Sequence, residues 1–228
     1  PDAVIRLSPS QVGDVLRCPR RYFLTRRVGA GGSASAAASL GSILHLVVQY
    51  ANSGGLDEVE VGRYLDAAWE HLSFDAGWLS AVEQAVAEAS IGRFLTWRKH
   101  RSVEAVGVEV PFTLELELAG LRVRLAGAVD RLERVGEALR VVDFKTGRSV
   151  PTKAEAERME QLGIYQLAIE AGAFAAVAPE QVSAGAEAVY LRHAGSEDDL
   201  PKTLQQPSLA TTPRHATDPD HSFDTWAA

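Results

Sequence analysis

Two aspartates and a lysine in the middle of the chain have a spacing that could hold a divalent cation. Asp130 and Asp143 lie in two short apolar stretches that flank a Gly136-Glu137 turn signal, the pattern of two antiparallel strands joined by a tight turn. If Gly136 and Glu137 are the central turn residues, Asp130 lies directly opposite Asp143. Facing side chains of such a pair have Cβ atoms roughly 4.5–5.5 Å apart.

The chemistry follows from these residue types. Asp143 and Lys145 are two positions apart on one strand, so they point to the same face. Facing carboxylates repel unless a cation lies between them, and oxygen ligands of this kind suit Mg²⁺ or Mn²⁺. A nearby lysine can orient water or stabilise the charge of a phosphorane-like state. The group therefore indicates metal-assisted hydrolysis of a phosphodiester.

The alternative is an ordinary solvated hairpin face with a weak cross-strand ion pair. The neighbours of Asp143 favour the functional interpretation, because Val141, Val142 and Phe144 make this strand apolar on both sides. Strands of that composition are buried on both faces, and charges are rarely buried without a partner or a task.

Three further side chains belong to helical patterns. His45 lies one turn after Gly41 in an apolar helix predicted over 40–51, and glycine allows a second element to approach closely there. By itself this histidine is typical of a packed core residue. Gln161 and Tyr165 form an i, i+4 pair on the helix predicted over 153–171, and by themselves they would be a surface stripe.

The order of these motifs resembles a known family. Gly41-Ser-Ile-Leu-His45, Gly127–Arg131, Asp143-Phe-Lys145-Thr-Gly147 and Gln161-Leu-Gly-Ile-Tyr165 follow one another along the chain. They resemble the ordered motifs of RecB-type nucleases in the PD-(D/E)xK superfamily, most of all the C-terminal nuclease domains of AddB and AdnB helicase–nucleases of actinobacteria. The resemblance extends from about residue 5 to about residue 192. It implies an α+β, restriction-endonuclease-like core: a mixed sheet with an antiparallel meander, flanked by helices.

The resemblance also implies roles at the metal. His45, Asp130 and Asp143 would be side-chain ligands of Mg²⁺ or Mn²⁺, and the backbone carbonyl of Phe144 would be another ligand. Lys145 would be the catalytic lysine that positions or activates water.

Other positions are implied to surround this centre. Gln161 and Tyr165 would lie beside the scissile phosphate, and Glu109 matches a strand position that carries a carboxylate near the site in many relatives. Arg131 would point to the other side of its strand, to brace the site or to contact DNA.

Cys18 is the single cysteine of the chain. Cys18-Pro-Arg-Arg-Tyr22 resembles the segment that carries the first cluster-binding cysteine of iron–sulfur members of this nuclease group, which supply three more near their C-terminus. One cysteine cannot form a Cys₄ site, so we expect an Fe–S cluster only if residues outside this chain complete it. The other interpretation is a plain buried cysteine.

Composition sets wider limits. The net charge of −7 over 228 residues argues against a general electrostatic attraction to nucleic acid, although five arginines occur within 17–27 without an acid. No apolar run is long enough to span a membrane and no secretory signal is present, so we expect a cytoplasmic protein without membrane partners. The start at Pro1 suggests a piece of a longer polypeptide.

We expect a nuclease domain over 1–194, with a helical part over 1–102 and a catalytic sheet and helix over 103–194. Strands are predicted over 104–118, 121–133, 138–145 and 186–192, the last at the sheet edge. Helices are predicted over 8–25, 56–72 and 79–100, with a low-complexity loop over 30–39. Capping boxes predict two of the helix starts: Ser8 with Gln11 opens the first helix, and Thr152 with Glu155 opens the helix over 153–171. From 195 to 228 we expect a Pro-rich, acidic tail or linker.

The hairpin residues favour a metal-dependent nuclease. The resemblance further implies a deoxyribonuclease, expected to be an exonuclease, that serves as the nuclease module of a bacterial helicase–nuclease and processes single-stranded DNA or DNA ends in double-strand-break repair. No Walker A motif is present, so a helicase motor would lie on the same parent polypeptide or on a partner subunit. The alternatives are a catalytically inactive, nuclease-like module that guides DNA and a protein-interaction domain.

Overall fold

The molecule is built on a mixed β-sheet that separates two layers of helices. The structure is a computed structural model and describes residues 4–29, 36–52, 58–69, 77–196 and 199–209. Within these ranges the strands are β1 (Val4–Leu7), β2 (Glu104–Leu118), β3 (Leu121–Val135), β4 (Ala138–Lys145), β5 (Ser183–Ala194) and β6 (Pro201–Gln206). The helices are α1 (Pro9–Arg17), α2 (Pro19–Tyr22), α3 (Ala36–Asn52), α4 (Glu58–Trp69), α5 (Gly77–His100), α6 (Lys153–Ala156) and α7 (Glu160–Glu170), with a π-helical turn at Phe23–Arg27.

The sheet order is β1-β3-β4-β5-β6, and β2 pairs with the full length of β3. Strands β2, β3 and β4 form the predicted antiparallel meander, whereas β1 is parallel to β3 and β5 is parallel to β4. This arrangement confirms the predicted α+β core. None of the helices in the described ranges is both long and apolar enough to cross a bilayer.

The predicted register of the hairpin formed by β3 and β4 is confirmed. Arg131 pairs with Val142 and Val135 pairs with Ala138 around the turn, where Gly136 has a φ of +63° that glycine adopts without strain. The same register continued by one position places Asp130 opposite Asp143.

Strand β4 is buried because each of its faces packs against a different helical layer. Val142 and Phe144 belong to a core with α3, α4 and α5, and Val141 belongs to a second core with α7. The Phe144 ring meets the rings of Phe94 and Trp97 edge-on, each at a centroid distance of 5.3 Å. Consecutive side chains of this strand therefore point toward opposite helical layers, and Asp143 and Lys145 lie on the α7 side.

Two helix predictions were wrong because local breaks divide the segments. The expected helix over 8–25 begins with the predicted Ser8 capping box but stops at Cys18, which is extended (φ −161°, ψ 94°), since the residue before a proline disfavours the α conformation. The helix expected over 153–171 is two helices, α6 and α7, separated at 157–159.

Other corrections concern elements without a strong local signal. Strand β1 lies in the part expected to be helical, and α3 begins at Ala36, inside the expected loop, of which 30–35 lie outside the described residues. Strand β5 is longer than predicted and is not at the sheet edge, because β6 pairs with it. The expectation of a tail from residue 195 was therefore wrong for Pro201–Gln206; residues 210–228 lie outside the described part.

Candidate active site

The first group of predicted site residues lines a cleft between α3 and the sheet. Its volume is about 610 Å³, and its walls include His45, Gln49, Glu109, Asp130 and Thr146. A side chain at Gly41 would meet the Thr146 hydroxyl at 3.2 Å, so the absence of a side chain there lets the loop after Lys145 pack against the helix of His45. The predicted close approach at Gly41 is therefore present.

The second group is a hydrogen-bonded network on the α7 side of β4. Lys145 Nζ lies 2.6 Å from Asp143 Oδ2 and donates to Gln161 Oε1 at 2.6 Å. Gln161 Nε2 in turn donates to Asp143 Oδ1 at 3.0 Å and to the Tyr165 hydroxyl at 2.8 Å. The amide of Gln161 thus joins the carboxylate, the ammonium and the phenol in one network.

The contact between Lys145 and Asp143 is an ion pair, because Asp143 Oδ2 has no partner that meets hydrogen-bond geometry in the described structure. Asp143 is 3 % exposed. A buried carboxylate oxygen held only by charge attraction is available to another cation. Burial and the charge of Asp143 also raise the pKa of the Tyr165 hydroxyl, which keeps it protonated.

Asp130 connects the two groups. Its Oδ2 accepts a hydrogen bond of 2.6 Å from the backbone N–H of Phe144, so its carboxyl group lies against the strand that carries Asp143. Burial, followed by the negative charge of Asp143, raises the pKa of Asp130 to about 8, and Glu109 contributes in the same direction. Burial also raises the pKa of Glu109, and His45 opposes that shift. The positive charge of Lys145 is therefore too small to balance the carboxylates of Asp130, Asp143 and Glu109 if all three are ionised.

This imbalance and the donor types fit a hard divalent cation, since carboxylate and carbonyl oxygens with one imidazole suit Mg²⁺ or Mn²⁺. Across the described ranges, no three His, Cys, Asp or Glu side chains lie close enough to bind one ion as they stand. The ligand set of His45, Asp130, Asp143 and the Phe144 carbonyl therefore stays a prediction.

Two predicted residues lie elsewhere. Arg131 points away from the cleft, where it donates to Glu133 and Asn52 and lies over the Trp97 ring, so its contacts are those of a bracing residue. Cys18 caps α2 by accepting a hydrogen bond of 3.4 Å from the Arg21 N–H. With one cysteine in the chain, its residues alone do not fit an Fe–S cluster.

Sequence reasoning missed Tyr190 of β5. It is the parallel neighbour of Lys145, is 3 % exposed and lines a second groove of about 550 Å³ together with Lys145 and Gln161. Burial and then the charge of Asp143 raise its pKa to about 12. No sequence signal identifies this residue, because a parallel register is not set by a local turn.

Fold and site together define a nuclease-type core, with an antiparallel hairpin that presents Asp130, Asp143 and Lys145 beside a helix bearing Gln161. The model of the family described as "PD-(D/E)XK nuclease superfamily" matches residues 6–228, and the chain belongs to this superfamily. A search of curated proteins finds no significant match. Among solved structures, the chain is similar to that titled "Crystal structure of SSO0001", with 15 % identity, a TM-score of 0.32, and coverage of 85 % of this chain and 80 % of that one.

Proposed function

We propose that this chain is a metal-dependent deoxyribonuclease that hydrolyses phosphodiester bonds at the Asp130–Asp143 hairpin. The observation that carries the proposal is the network in which buried Asp143 contacts Lys145 and Gln161, with the protonation-prone Asp130 on the facing strand. Two buried carboxylates repel each other and do not stabilise a fold by themselves. Groups whose pKa is shifted in this way cluster at catalytic sites. Membership of the nuclease superfamily supports the same conclusion.

The metal would be held by Asp130, Asp143 and the Phe144 carbonyl, with His45 across the cleft. When bound, Mg²⁺ or Mn²⁺ would supply Lewis-acid stabilisation of the phosphate and of the leaving 3′ oxygen. Reaction with water forms a new P–O bond and breaks the bond to that 3′ oxygen. The attacking water gives up one proton to solvent, and the 3′ oxygen takes one proton from solvent and leaves as an alcohol.

The side chains of this protein have distinct tasks in that reaction. The Lys145 ammonium orients the attacking water and offsets negative charge on the phosphate. Gln161 holds Lys145 and Asp143 at a fixed separation through one amide group. Tyr165, kept protonated, donates a hydrogen bond of 3.5 Å to Oδ1 of the same carboxylate.

We also propose the biological setting that the sequence resemblance implies. The chain would serve as an exonuclease module in a bacterial helicase–nuclease of the AddB/AdnB type, acting in the cytoplasm on DNA ends during double-strand-break repair. A motor outside this chain would deliver the DNA. The net charge of −7 agrees with this, because an acidic chain has little general electrostatic attraction to DNA of its own.

Cleavage of a labelled single-stranded oligonucleotide in Mg²⁺, Mn²⁺ or EDTA tests the activity. We expect metal-dependent cutting that falls by at least about 10²-fold in Lys145→Ala, in the range of a lost proton-transfer or positioning group, at unchanged melting temperature. Lys153→Ala is the matched control, because the Lys153 side chain is 82 % exposed. Equal cutting by wild type and Lys145→Ala would refute the assigned lysine. Absence of both cutting and metal binding in the wild type would indicate a DNA-guiding module instead.

A further inference from the structure

The hydroxyl of Tyr190 is a buried polar group that the fold leaves without a partner. In the described structure no atom accepts from it or donates to it, although the side chain is almost completely buried. Tyr165, the other buried tyrosine on this side of the sheet, hydrogen-bonds to Gln161. A buried hydroxyl without a partner destabilises a protein relative to phenylalanine, so packing alone does not account for the oxygen of Tyr190.

The position of Tyr190 brings it next to the catalytic lysine. Lys145 and Tyr190 are register partners on adjacent parallel strands, whose backbones lie about 4.8 Å apart. Both side chains line the same groove and are of similar length. The Lys145 ammonium contacts Asp143 and Gln161, and in the described structure the Tyr190 hydroxyl has no hydrogen-bond partner.

The ion pair that holds Lys145 in this orientation depends on the free charge of Asp143. A divalent cation on Asp143 would compensate that charge and weaken the attraction between the carboxylate and the ammonium. An ammonium has three N–H donors, and the phenol oxygen on the neighbouring strand is an acceptor in reach of a flexible lysine.

We propose that Tyr190 is a positioning residue for Lys145, whose ammonium hydrogen-bonds to the Tyr190 hydroxyl once Asp143 binds its cation. The inference rests on the proposed function, since it assigns a task to the proposed catalytic lysine. Tyr190 acts through Lys145 and does not contact the phosphate.

Tyr190→Phe tests the inference, because it removes the oxygen and keeps the ring. In EDTA we expect an unchanged or higher melting temperature and unchanged affinity for an oligonucleotide. With Mg²⁺ or Mn²⁺ at saturating oligonucleotide, we expect cleavage to slow by roughly ten- to a hundredfold, the rate equivalent of one hydrogen bond to a charged group. Tyr64→Phe is the control for an exposed tyrosine, since Tyr64 is 59 % exposed. The Tyr190→Phe change should have no further effect in a Lys145→Ala background, as expected of residues that act as a unit.

Nuclear magnetic resonance gives a readout that needs no cleavage. The sequence has four lysines, Lys99, Lys145, Lys153 and Lys202, so the Lys145 ¹³Cε resonance can be assigned by its loss in Lys145→Ala. We expect Mg²⁺ to shift this resonance in the wild type and to produce a different shift in Tyr190→Phe. Equal Mg²⁺ responses, or equal cleavage rates in a cutting wild type, overturn the inference. If the resonances respond differently but the wild type does not cut, the contact stands and the proposed function fails.

Discussion

Replacing Asp130 by asparagine should remove a pH-dependent instability of the metal-free protein. Burial and Asp143 raise the pKa of Asp130 to about 8 from an ordinary value of 3.8. Between these two pH values the folded chain keeps a proton that the unfolded chain has lost. The free energy of unfolding therefore falls as pH rises through this window.

The size of the effect follows from the shift. Each pH unit in the window lowers the free energy of unfolding by about 1.4 kcal/mol, so the wild type in EDTA should lose on the order of 2 kcal/mol between pH 6 and pH 8 from this group. Asparagine keeps an oxygen that accepts from the Phe144 N–H but does not titrate. Asp130→Asn should lack this part of the pH dependence and be the more stable protein at pH 8.

Urea denaturation of both proteins in EDTA at pH 6, 7 and 8 measures the difference. Glu115→Gln is the control, because Glu115 is an exposed carboxylate whose replacement should leave the pH dependence unchanged. If Asp130 is a metal ligand as proposed, saturating Mg²⁺ at pH 8 should stabilise the wild type more than Asp130→Asn, since the ion would bind the ionised carboxylate. Parallel pH profiles of wild type and Asp130→Asn would refute the electrostatic account of the site.

Arg101→Ala should lower the free energy of unfolding by about 3–5 kcal/mol in urea denaturation, because the buried carboxylates of Glu133 and Glu187 would lose the guanidinium that pairs with both of them. A loss below about 1 kcal/mol would contradict this. Gln206→Leu should cost about 1–3 kcal/mol, measured in the same way, since the Gln206 amide donates to backbone carbonyls between α6 and α7; an unchanged midpoint would show that these bonds add nothing. Gly41→Val should reduce cleavage more than it reduces the melting temperature, because its side chain would press on Thr146; equal fractional losses of activity and folded protein would indicate a purely structural effect.

The hairpin of β3 and β4 was predictable because the signals that specify it are local in the sequence. A glycine turn sets the register of β3 and β4, which brings Asp130 opposite Asp143 when it is continued by one position beyond the last pair, and the apolar neighbours predict that the strand is buried. The alternation of side chains then places Lys145 beside Asp143. Helix starts were predictable for the same reason, since both capping boxes, at Ser8 and at Thr152, are present in the structure.

The remaining features depend on contacts between distant parts of the chain. No turn sets the parallel pairing of β4 with β5, so the position of Tyr190 beside Lys145 could not be read from the sequence. Strand β6 begins with a proline, which is accepted at the first position of an edge strand but is also typical of a linker. The backbone carbonyls at the break between α6 and α7 accept hydrogen bonds from the side chain of Gln206, about 50 positions away.

That long-range contact has a consequence for the boundaries of a minimal functional unit. The side chain of Gln206 hydrogen-bonds to the carbonyls of Ala156, Glu157 and Met159, immediately before the helix that supplies Gln161. Strand β6 is thus linked to the start of α7 as well as to the sheet. A fragment trimmed at residue 194 would retain every residue of the proposed centre and still lose the support of its helix, so its inactivity would report on trimming and not on chemistry.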